Sequence, residues 1–532
     1  MSKVATYLRG HLAGEVDFRT DLRAARAKDA GILAIAPEMI VSPRNTSDIR
    51  KTARFLWQLS ERGHTLPLVV RGAGYGINGG AVGRGAQVSL ATHMNTIFEY
   101  DSKQRLVRLQ PGVTIQALQS ALALQGAGVL SLNGLDSRGT IGGAIADNAA
   151  GYLAGKYGSL AANVSQLEVV LANGDILQTG KISRRELNRK KGQQNLEGDI
   201  YRGVETILED YADEISTIHE RDQTGYNSIA RICNRDGSID LTPLFIGSQG
   251  TLGVISEMIL RVDFRSQHLD LAALVFASAE TARDMLDELR RFAPAFVKYF
   301  DAALMRRAVQ VGYKAPWFQE VGGKVPQAAI LVGFDDFNVR ARTKGKKKLE
   351  KLCNSVADVS LTLDDGSTRT SLLSLLDITR YSTLPDRAGV GIPPLLSNWF
   401  VPSERFEDFT KALTVLGNKL RVELPLAVDG LAELVSVYPL VPIAQASDRQ
   451  KLMRLLDETT RLVHQYGGAV VGQHGEGRLL SRFAYECIGA RRVDMYRAIR
   501  KLFDPLGTLN PGVKQLNDVR QLAGMIDGTL RF

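Results

Sequence analysis

Hydrophobic and polar residues follow two textures along the chain. Up to about residue 265, short runs crowded with Val, Ile and Leu are broken by glycine-rich turns: "PLVVRGAG", "AQVSLAT", "RLVRLQPG", "VSQLEVVLANGDIL" and "LGVISEMILRV". Such runs predict strands, and Asn173-Gly174 between two of them predicts a hairpin. Helical periodicity falls between the runs. In "NTSDIRKTARFLWQLSERG", Ile49, Ala53, Leu56 and Leu59 share one face, and Thr46 or Ser47 stands where a cap is needed. From about 266 to 500, long amphipathic helices dominate: "SAETARDMLDELRRF", "SERFEDFTKALTVLGNKL", "DRQKLMRLLDETTRLVHQYG" and "RVDMYRAIRKLF". Strands such as "AAILVGFD" and "ELVSVYPLV" lie between them, which predicts an antiparallel sheet covered on one side by helices. The fold class is α+β throughout.

Composition narrows this picture. At 532 residues the chain is too long for one core. With 44% hydrophobic and 23% charged residues it reads as a globular protein, and no apolar run reaches the ~18–20 residues of a membrane span. The first thirty residues carry charge of both signs and no apolar core, which argues against a secretory signal. Cys233, Cys353 and Cys487 are far apart and form no Cys-x-x-Cys, so neither a disulfide framework, an iron–sulfur cluster nor structural zinc is expected. A reducing, cytoplasmic compartment fits. The net charge of +9 includes the basic runs "SRRELNRKK" and "KGKKKLEK", neither interleaved with aromatics as a nucleic-acid platform would be. A basic face could guide an anionic substrate or rest against the inner face of an acidic membrane.

Three glycine-rich stretches point to chemistry. "RGAGYGINGGAVGRG", from Arg71, follows an apolar strand and can bring several backbone N–H groups to one point, an anion nest suited to a pyrophosphate. Its spacing is not the Rossmann fingerprint. "GTIGGAIADNAAGYLAGKYGSLAANV", from Gly139, supplies Thr140, Gly142, Gly143, Asn148 and Gly151, small or amide-bearing residues that let a flat ligand approach the backbone. "DLTPLFIGSQGTLGVIS", from Asp240, carries Gly247, Gly250 and Gly253 into another strand. Each alone could be structural; three together suggest a large polyphosphate ligand.

These stretches resemble the FAD-binding domain of the vanillyl-alcohol oxidase / p-cresol methylhydroxylase flavoprotein family, and within it the D-lactate, glycolate and D-2-hydroxyglutarate dehydrogenase group. "RGAGYGINGG" resembles that group's "RGGGTGLSGG", "GTIGGAIADNAAG" its "STIGGMVANNASG", "LFIGSQGTLGVISEMILRV" its "LFVGSEGTLGIITEATLRL", and "LFDPLGTLNPGVK" its closing "FDPxxxLNPGK". The resemblance covers roughly residues 35–515. It implies an N-terminal extension (1–34), a two-part FAD-binding domain (35–265), a substrate or cap domain over the flavin (266–500), and a C-terminal segment (501–532) that returns to the FAD domain. Carried over, Gly72, Gly74, Gly76, Asn78 and Gly79 would hold the pyrophosphate, and Arg71, Ala73 and Tyr75 of the same stretch would also belong to the cofactor site. Thr140, Gly142, Gly143, Asn148, Gly151 and Gly250 would continue the FAD site. Ile255 would meet the adenine side and Asn510 the ring. Covalent relatives often carry histidine where Tyr75 stands, so non-covalent FAD is expected.

In this group the stretch matching "VVGQHGEGR" commonly reads "xxGEHGxGxxK", and His474 would sit over the flavin. Oxidising an alcohol by two electrons removes a hydroxyl proton and a hydride. A neutral imidazole, with pKa near ~6.5, suits the proton, and the flavin takes the hydride. A histidine between glycines could also simply hydrogen-bond in a turn. Glu476, in the same stretch, is a further catalytic candidate or a loop charge. Metal-dependent relatives ligate zinc through "HxxGDGNLH" and the Glu of "EHG"; here Asp429, Ser436 and Gln473 stand near those positions, a poor zinc set, so no metal is expected. Arg380 or Arg387 could hold a substrate carboxylate, and either could be a surface arginine.

The reading is an FAD-dependent oxidoreductase of a small hydroxylated substrate, foremost a D-2-hydroxy acid, with His474 as base. A sugar or alditol oxidase, or a non-catalytic flavin-binding subunit of a glycolate-oxidase-like complex, are the alternatives. Without an iron–sulfur motif, electrons would leave to a separate protein, a quinone or oxygen.

Overall fold

The computed structural model describes residues 2–529 apart from 267, 384–394, 440 and 444. Beside two further two-stranded pairs, the first texture folds into two main sheets. In one, Met39–Ser42, Ala86–Ser89 and Leu68–Arg71 run parallel in that order, and Glu15–Asp17 adds an antiparallel edge. The other is antiparallel, in the order Ile97–Asp101, Leu106–Leu109, Val254–Arg261, Val164–Val170, Ile176–Gln178. The expected hairpin is present: Val164–Val170 pairs with Ile176–Gln178, and Gly174 takes φ 84° at the turn. The helix Thr46–Glu61 buries Ile49, Ala53 and Leu56 as its periodicity predicts, but neither Thr46 nor Ser47 caps it. Asn45 does, accepting from the Asp48 N–H at 3.1 Å, because it is the residue in extended conformation just before the first turn.

The second texture folds into one seven-stranded antiparallel sheet. Its order is Val359–Leu363, Asp270–Phe276, Ala328–Phe334, Phe296–Asp301, Leu426–Asp429, Leu434–Val437, Leu396–Phe400. The one-sided cover expected for it is incomplete. Asp270–Phe276 and Ala328–Phe334 are buried along almost their whole length, as strands covered on both faces must be. One face (Ala272, Leu274, Phe276, Ile330, Val332) packs with the helices Ala279–Arg290, Val339–Asn354 and Phe406–Leu420. The other (Leu271, Ala273, Val275, Phe296, Phe300, Leu331) packs with the helix Ala302–Gln310, with Leu372 and Leu375, and with Leu130 and Leu153 of the first half. The strands read as continuous apolar runs, so period-2 alternation could not reveal the second layer.

The C-terminal segment threads back through the first half. Leu68 N–H donates to Thr508 and Asn510 N–H donates to Leu68, so residues 508–510 extend the edge of the parallel sheet.

Candidate active site

The glycine turn after the strand Leu68–Arg71 is built from both of its sides. Arg71 is buried beneath it and donates to the carbonyls of Lys28 (2.8 Å) and Ala81 (3.4 Å). A Cβ on Gly74 would meet this guanidinium at 2.1 Å, and Gly74 takes φ 80°. Thus Arg71 supports the turn from within. Above it, Ala73, Gly74, Tyr75, Gly76 and Ile77 line a cleft, and among the described residues none of their N–H groups donates to a protein acceptor. Buried Asn78 lines the same cleft and leaves its Oδ1 unpartnered. Five unspent amides on one turn make a site for the oxygens of a pyrophosphate.

The second and third glycine stretches close the cleft. Thr140 accepts from Gly143 N–H at 3.3 Å and leaves no room for a side chain at Gly72, whose Cβ would stand 2.1 Å from Thr140 Oγ1. Gly142 is pressed on Pro111, Gly143 and Gly250 line the wall, and Ile255 adds an apolar surface. Five candidates stand elsewhere. Arg71 lies behind the turn. Gly79 faces Leu33, 2.7 Å from where its Cβ would be. Asn148, with φ 48°, donates to Gln223 at 3.3 Å and borders a different cavity. Gly151 is held against the Asn133 carbonyl and lines the neighbouring chamber. Asn510 is fully buried and ties the stretches together, donating to the carbonyls of Gly80 and Gln249, both at 2.8 Å. It pins the cleft and does not line it.

The loop after Val471 docks onto this frame. Asn78 Nδ2 donates to the Gly475 carbonyl at 2.7 Å, and Gly477 N–H donates to Gln249 Oε1 at 2.9 Å. Gly477 (φ 58°) lies so close that a Cβ would stand 2.1 Å from the Asn78 carbonyl oxygen. His474, between them, has φ 66°, a left-handed conformation for a side-chain-bearing residue. Its imidazole lines both the cleft and a second chamber under the seven-stranded sheet. Burial lowers its pKa below 6.5, and a hydrogen bond to the Ala150 backbone opposes the shift without cancelling it. The ring is therefore neutral near pH 7, with a nitrogen able to accept a proton.

Glu476, the other candidate in the loop, does not reach the cleft or the chamber. It is fully buried and fully engaged: it accepts from Gly225 N–H, from Tyr485 Oη (both 2.9 Å) and from Lys514 Nζ (2.8 Å). Lys514 also donates to the Gly225 carbonyl at 2.8 Å. This pair fastens the loop to the C-terminal segment and leaves no group free for proton transfer. Arg380 is exposed and lines the chamber at the short helix Ile378–Thr383. Arg387 lies outside the described residues.

One carboxylate and its amide partner at the cleft escaped the sequence reading. Asp147 lines it, and burial raises its pKa to about 6. It accepts from Gln249 Nε2 at 2.9 Å. The motif comparison held a signal for both: in the resembled group the equivalent positions read Asn and Glu, so amide and carboxylate have changed places across one hydrogen bond. Asp29, from the N-terminal extension, is also pushed to about 6 by burial. It accepts from Gly31 N–H at 2.9 Å.

The chamber is walled by the glycine turn (Tyr75 to Ile77), by Gly134 to Asp136, by Ala150 to Tyr152, and by the sheet. Period-2 alternation puts Lys298 and Phe300 of one strand, Ala427 and Asp429 of the next, and Ser436 of the third on this side. Asp429, Ser436 and Gln473 do come together here, but Asp429 is taken: Oδ2 accepts from Lys298 Nζ at 2.6 Å, and Oδ1 from the N–H groups of Leu431 (3.2 Å) and Ala432 (3.1 Å). Among the described residues, no group of three or more His, Cys, Asp or Glu could hold a metal ion.

Comparison with known proteins identifies two domains. The FAD binding domain family matches residues 37–180, and the C-terminal domain family of FAD linked oxidases matches residues 265–513. The chain is an FAD-linked oxidoreductase that carries both of these domains. The unspent amides and glycine walls of the cleft described above fit the pyrophosphate of FAD. The glycolate oxidase subunit GlcD of Bacillus subtilis is 26% identical over 494 residues, covering 91% of this chain and 90% of that one. A D-2-hydroxyglutarate dehydrogenase of Pseudomonas putida is 26% identical over 519 residues, covering 95% of this chain but 50% of the relative, so this chain spans half its length. Among solved structures, 4-ethylphenol oxidase from Gulosibacter chungangensis shares the fold with a TM-score of 0.70 at 13% identity, covering 98% of both chains. Among the described residues no helix is long and apolar enough to cross a membrane.

Proposed function

We propose that the chain oxidises the CH–OH group of a small 2-hydroxy acid, with His474 as the base that takes the hydroxyl proton. The observation that carries this is the position of His474 in the wall shared by the FAD cleft and the chamber under the sheet. When bound, the FAD supplies the two-electron acceptor for the substrate carbon. Asn78 and Gln249 hold the His474 loop at the cleft, so the imidazole is oriented before substrate arrives. Burial keeps the imidazole neutral and ready to accept. The chamber contributes cationic side chains, Lys298 and Arg380, to attract an acid. The names of the relatives, glycolate oxidase subunit and D-2-hydroxyglutarate dehydrogenase, support the same substrate class.

On this reading the cofactor is held without a covalent link, since Tyr75 offers no imidazole to the ring, and no metal takes part, since Lys298 already neutralises Asp429. Residues 266–500 act as the cap domain. Electrons pass on to a separate acceptor: a quinone, an electron-transfer protein or oxygen. Anaerobic titration tests the proposal. Glycolate, D-lactate or D-2-hydroxyglutarate should bleach the flavin absorbance. Bleaching by sugars or alditols alone would move the substrate to that class; no bleaching by any member of the panel would favour a non-catalytic flavin-binding subunit.

A further inference from the structure

We propose that Lys298, held in place by Asp429, is the anion anchor of the chamber: it binds the carboxylate that stands beside the hydroxyl served by His474. The inference rests on the 2-hydroxy acid reading and names the group that would make the enzyme choose an acid.

The placement follows from the sheet. Lys298 lies between Phe296 and Phe300 on one strand, so all three share a face. On the neighbouring strand Asp429 stands directly opposite Lys298 in the register, at a separation where side chains of the two strands meet. The ammonium therefore finds its carboxylate with little freedom to leave it, at 2.6 Å. Both groups are largely withdrawn from water, with side chains 20% and 5% exposed.

The donor arithmetic then matters. A lysine ammonium has three N–H groups. Among the described residues Lys298 gives one to Asp429 and none to any other protein acceptor. Asp429, by contrast, has both oxygens engaged, because the Leu431 and Ala432 amides fill Oδ1. The pair thus presents unspent donors and a quenched acceptor to the chamber that His474 lines. A carboxylate oxygen completes that set with charge-assisted hydrogen bonds. Lys514 shows what a purely structural lysine looks like in the same protein: its ammonium is fully buried between Glu476, the Gly225 carbonyl and the face of Tyr226, and it lines neither cavity. The other charged groups facing the chamber are less suited. Asp136 and Asp377 are acidic, Asp136 is paired with Arg138 at 3.0 Å, and Arg380 is exposed on a six-residue helix.

The test uses the purified FAD-loaded protein and two probes: oxalate, a dianion that cannot be oxidised by loss of a C–H hydride, and the pair glycolate and glycolamide, which differ in the charged group. Dissociation constants come from flavin absorbance changes on titration. Wild type should bind oxalate and prefer glycolate over glycolamide. Lys298→Met should weaken oxalate about 10–100-fold, erase most of the preference for the acid, and raise KM for glycolate more than it lowers the limiting rate of flavin reduction. Lys298→Arg should keep most of the oxalate affinity. If Lys298→Met does not retain FAD, Lys298→Gln takes its place with the same expectation. A neutral variant that holds its flavin and binds oxalate within threefold of wild type overturns the inference while leaving the proposed function standing. A wild type that binds no oxalate, shows no preference for the acid and is reduced by uncharged polyols overturns both.

Discussion

The glycine-walled cleft and the chamber meet at His474, but they are made of different material. The cleft is a backbone structure. Its unspent groups are the N–H groups of residues 73–77, and its walls are glycines set against Thr140, Pro111 and Arg71. The chamber is a side-chain structure, with Lys298, Asp429, Ser436 and His474 projected from strands and a loop far apart in sequence. A backbone cradle binds what every member of a cofactor class shares. A side-chain chamber can change its ligand set by single substitutions while the sheet beneath it stays the same. The two lysine–carboxylate pairs repeat the contrast on a smaller scale: Lys514–Glu476 is sealed and fastens the loop, while Lys298–Asp429 is open on one side.

The sharpest way to break this division is at the shared wall. His474→Ala should slow anaerobic flavin reduction by ~10²–10⁴, the usual loss for a general base, with FAD retained because the unspent amides lie in residues 73–77. Stopped-flow reduction decides it. A variant within threefold of wild type would show that His474 only shapes the loop. Loss of FAD would show that the loop belongs to the cradle and that the two regions are not separable.

Lys514→Met should have the next largest effect, and on stability in place of substrate choice. It strands the Glu476 carboxylate at zero exposure; removing one partner of such a pair costs about 3–5 kcal/mol. The denaturant midpoint should fall, whereas the oxalate affinity of the protein that remains folded should stay within a few-fold. An unchanged midpoint would mean that the pair does not fasten the loop.

The different materials also explain what could be read from the sequence. Glycines at fixed spacing are a local signal, and eleven of the sixteen cofactor candidates, among them Thr140 and Ile255, do line the cleft. Arg71 and Asn510 carry no sign in the sequence that they face away from it, because that depends on which carbonyls lie behind the turn. Glu476 and His474 are two residues apart, yet one is sealed and the other lines both cavities. Only the left-handed turn at His474, Gly475 and Gly477 separates them. Lys298 could not have been picked out, since its meaning comes from the register that sets it opposite Asp429, 131 positions along the chain. The Asp147–Gln249 exchange lay within two quoted motifs, but the hydrogen bond that makes it one event needs the fold.

A smaller, graded effect should appear in the pH profile. On the proposed reading the neutral form of His474 is the base, so the reduction rate should rise with pH and level off above its pKa. Burial lowers that pKa, which places the rise below 6.5. Asp147 and Asp29 titrate at about 6 and would overlap it. Rate measurements from pH 5 to 8 on Asp147→Asn and on His474→Ala separate them. The rise should survive the first substitution and vanish in the second. A rise that follows Asp147 would place the titrating group in the backbone region and remove the pH argument for His474.

The smallest expected effect is none. Incubation with EDTA, followed by gel filtration, should leave the substrate-driven flavin reduction rate unchanged, and acid precipitation should release the flavin into the supernatant. Both follow from side chains in the walls. Where a divalent ion would need two or more charged or imidazole ligands, the chamber offers Asp429 already bound to Lys298, the Ser436 hydroxyl, which accepts from Asn398 N–H at 2.9 Å, and Gln473. Where a covalent link would need a nucleophilic imidazole or thiol at the glycine turn, Tyr75 stands instead, and the first cysteine is Cys233. Stoichiometric zinc with loss of activity in EDTA would show that the Lys298–Asp429 pair opens to admit a metal, and Lys298 would then be a rival of the ion for Asp429. Flavin that stays with the precipitate would show that a group outside the cradle binds the ring covalently. Either result would redraw the boundary between the region made of backbone and the region made of side chains.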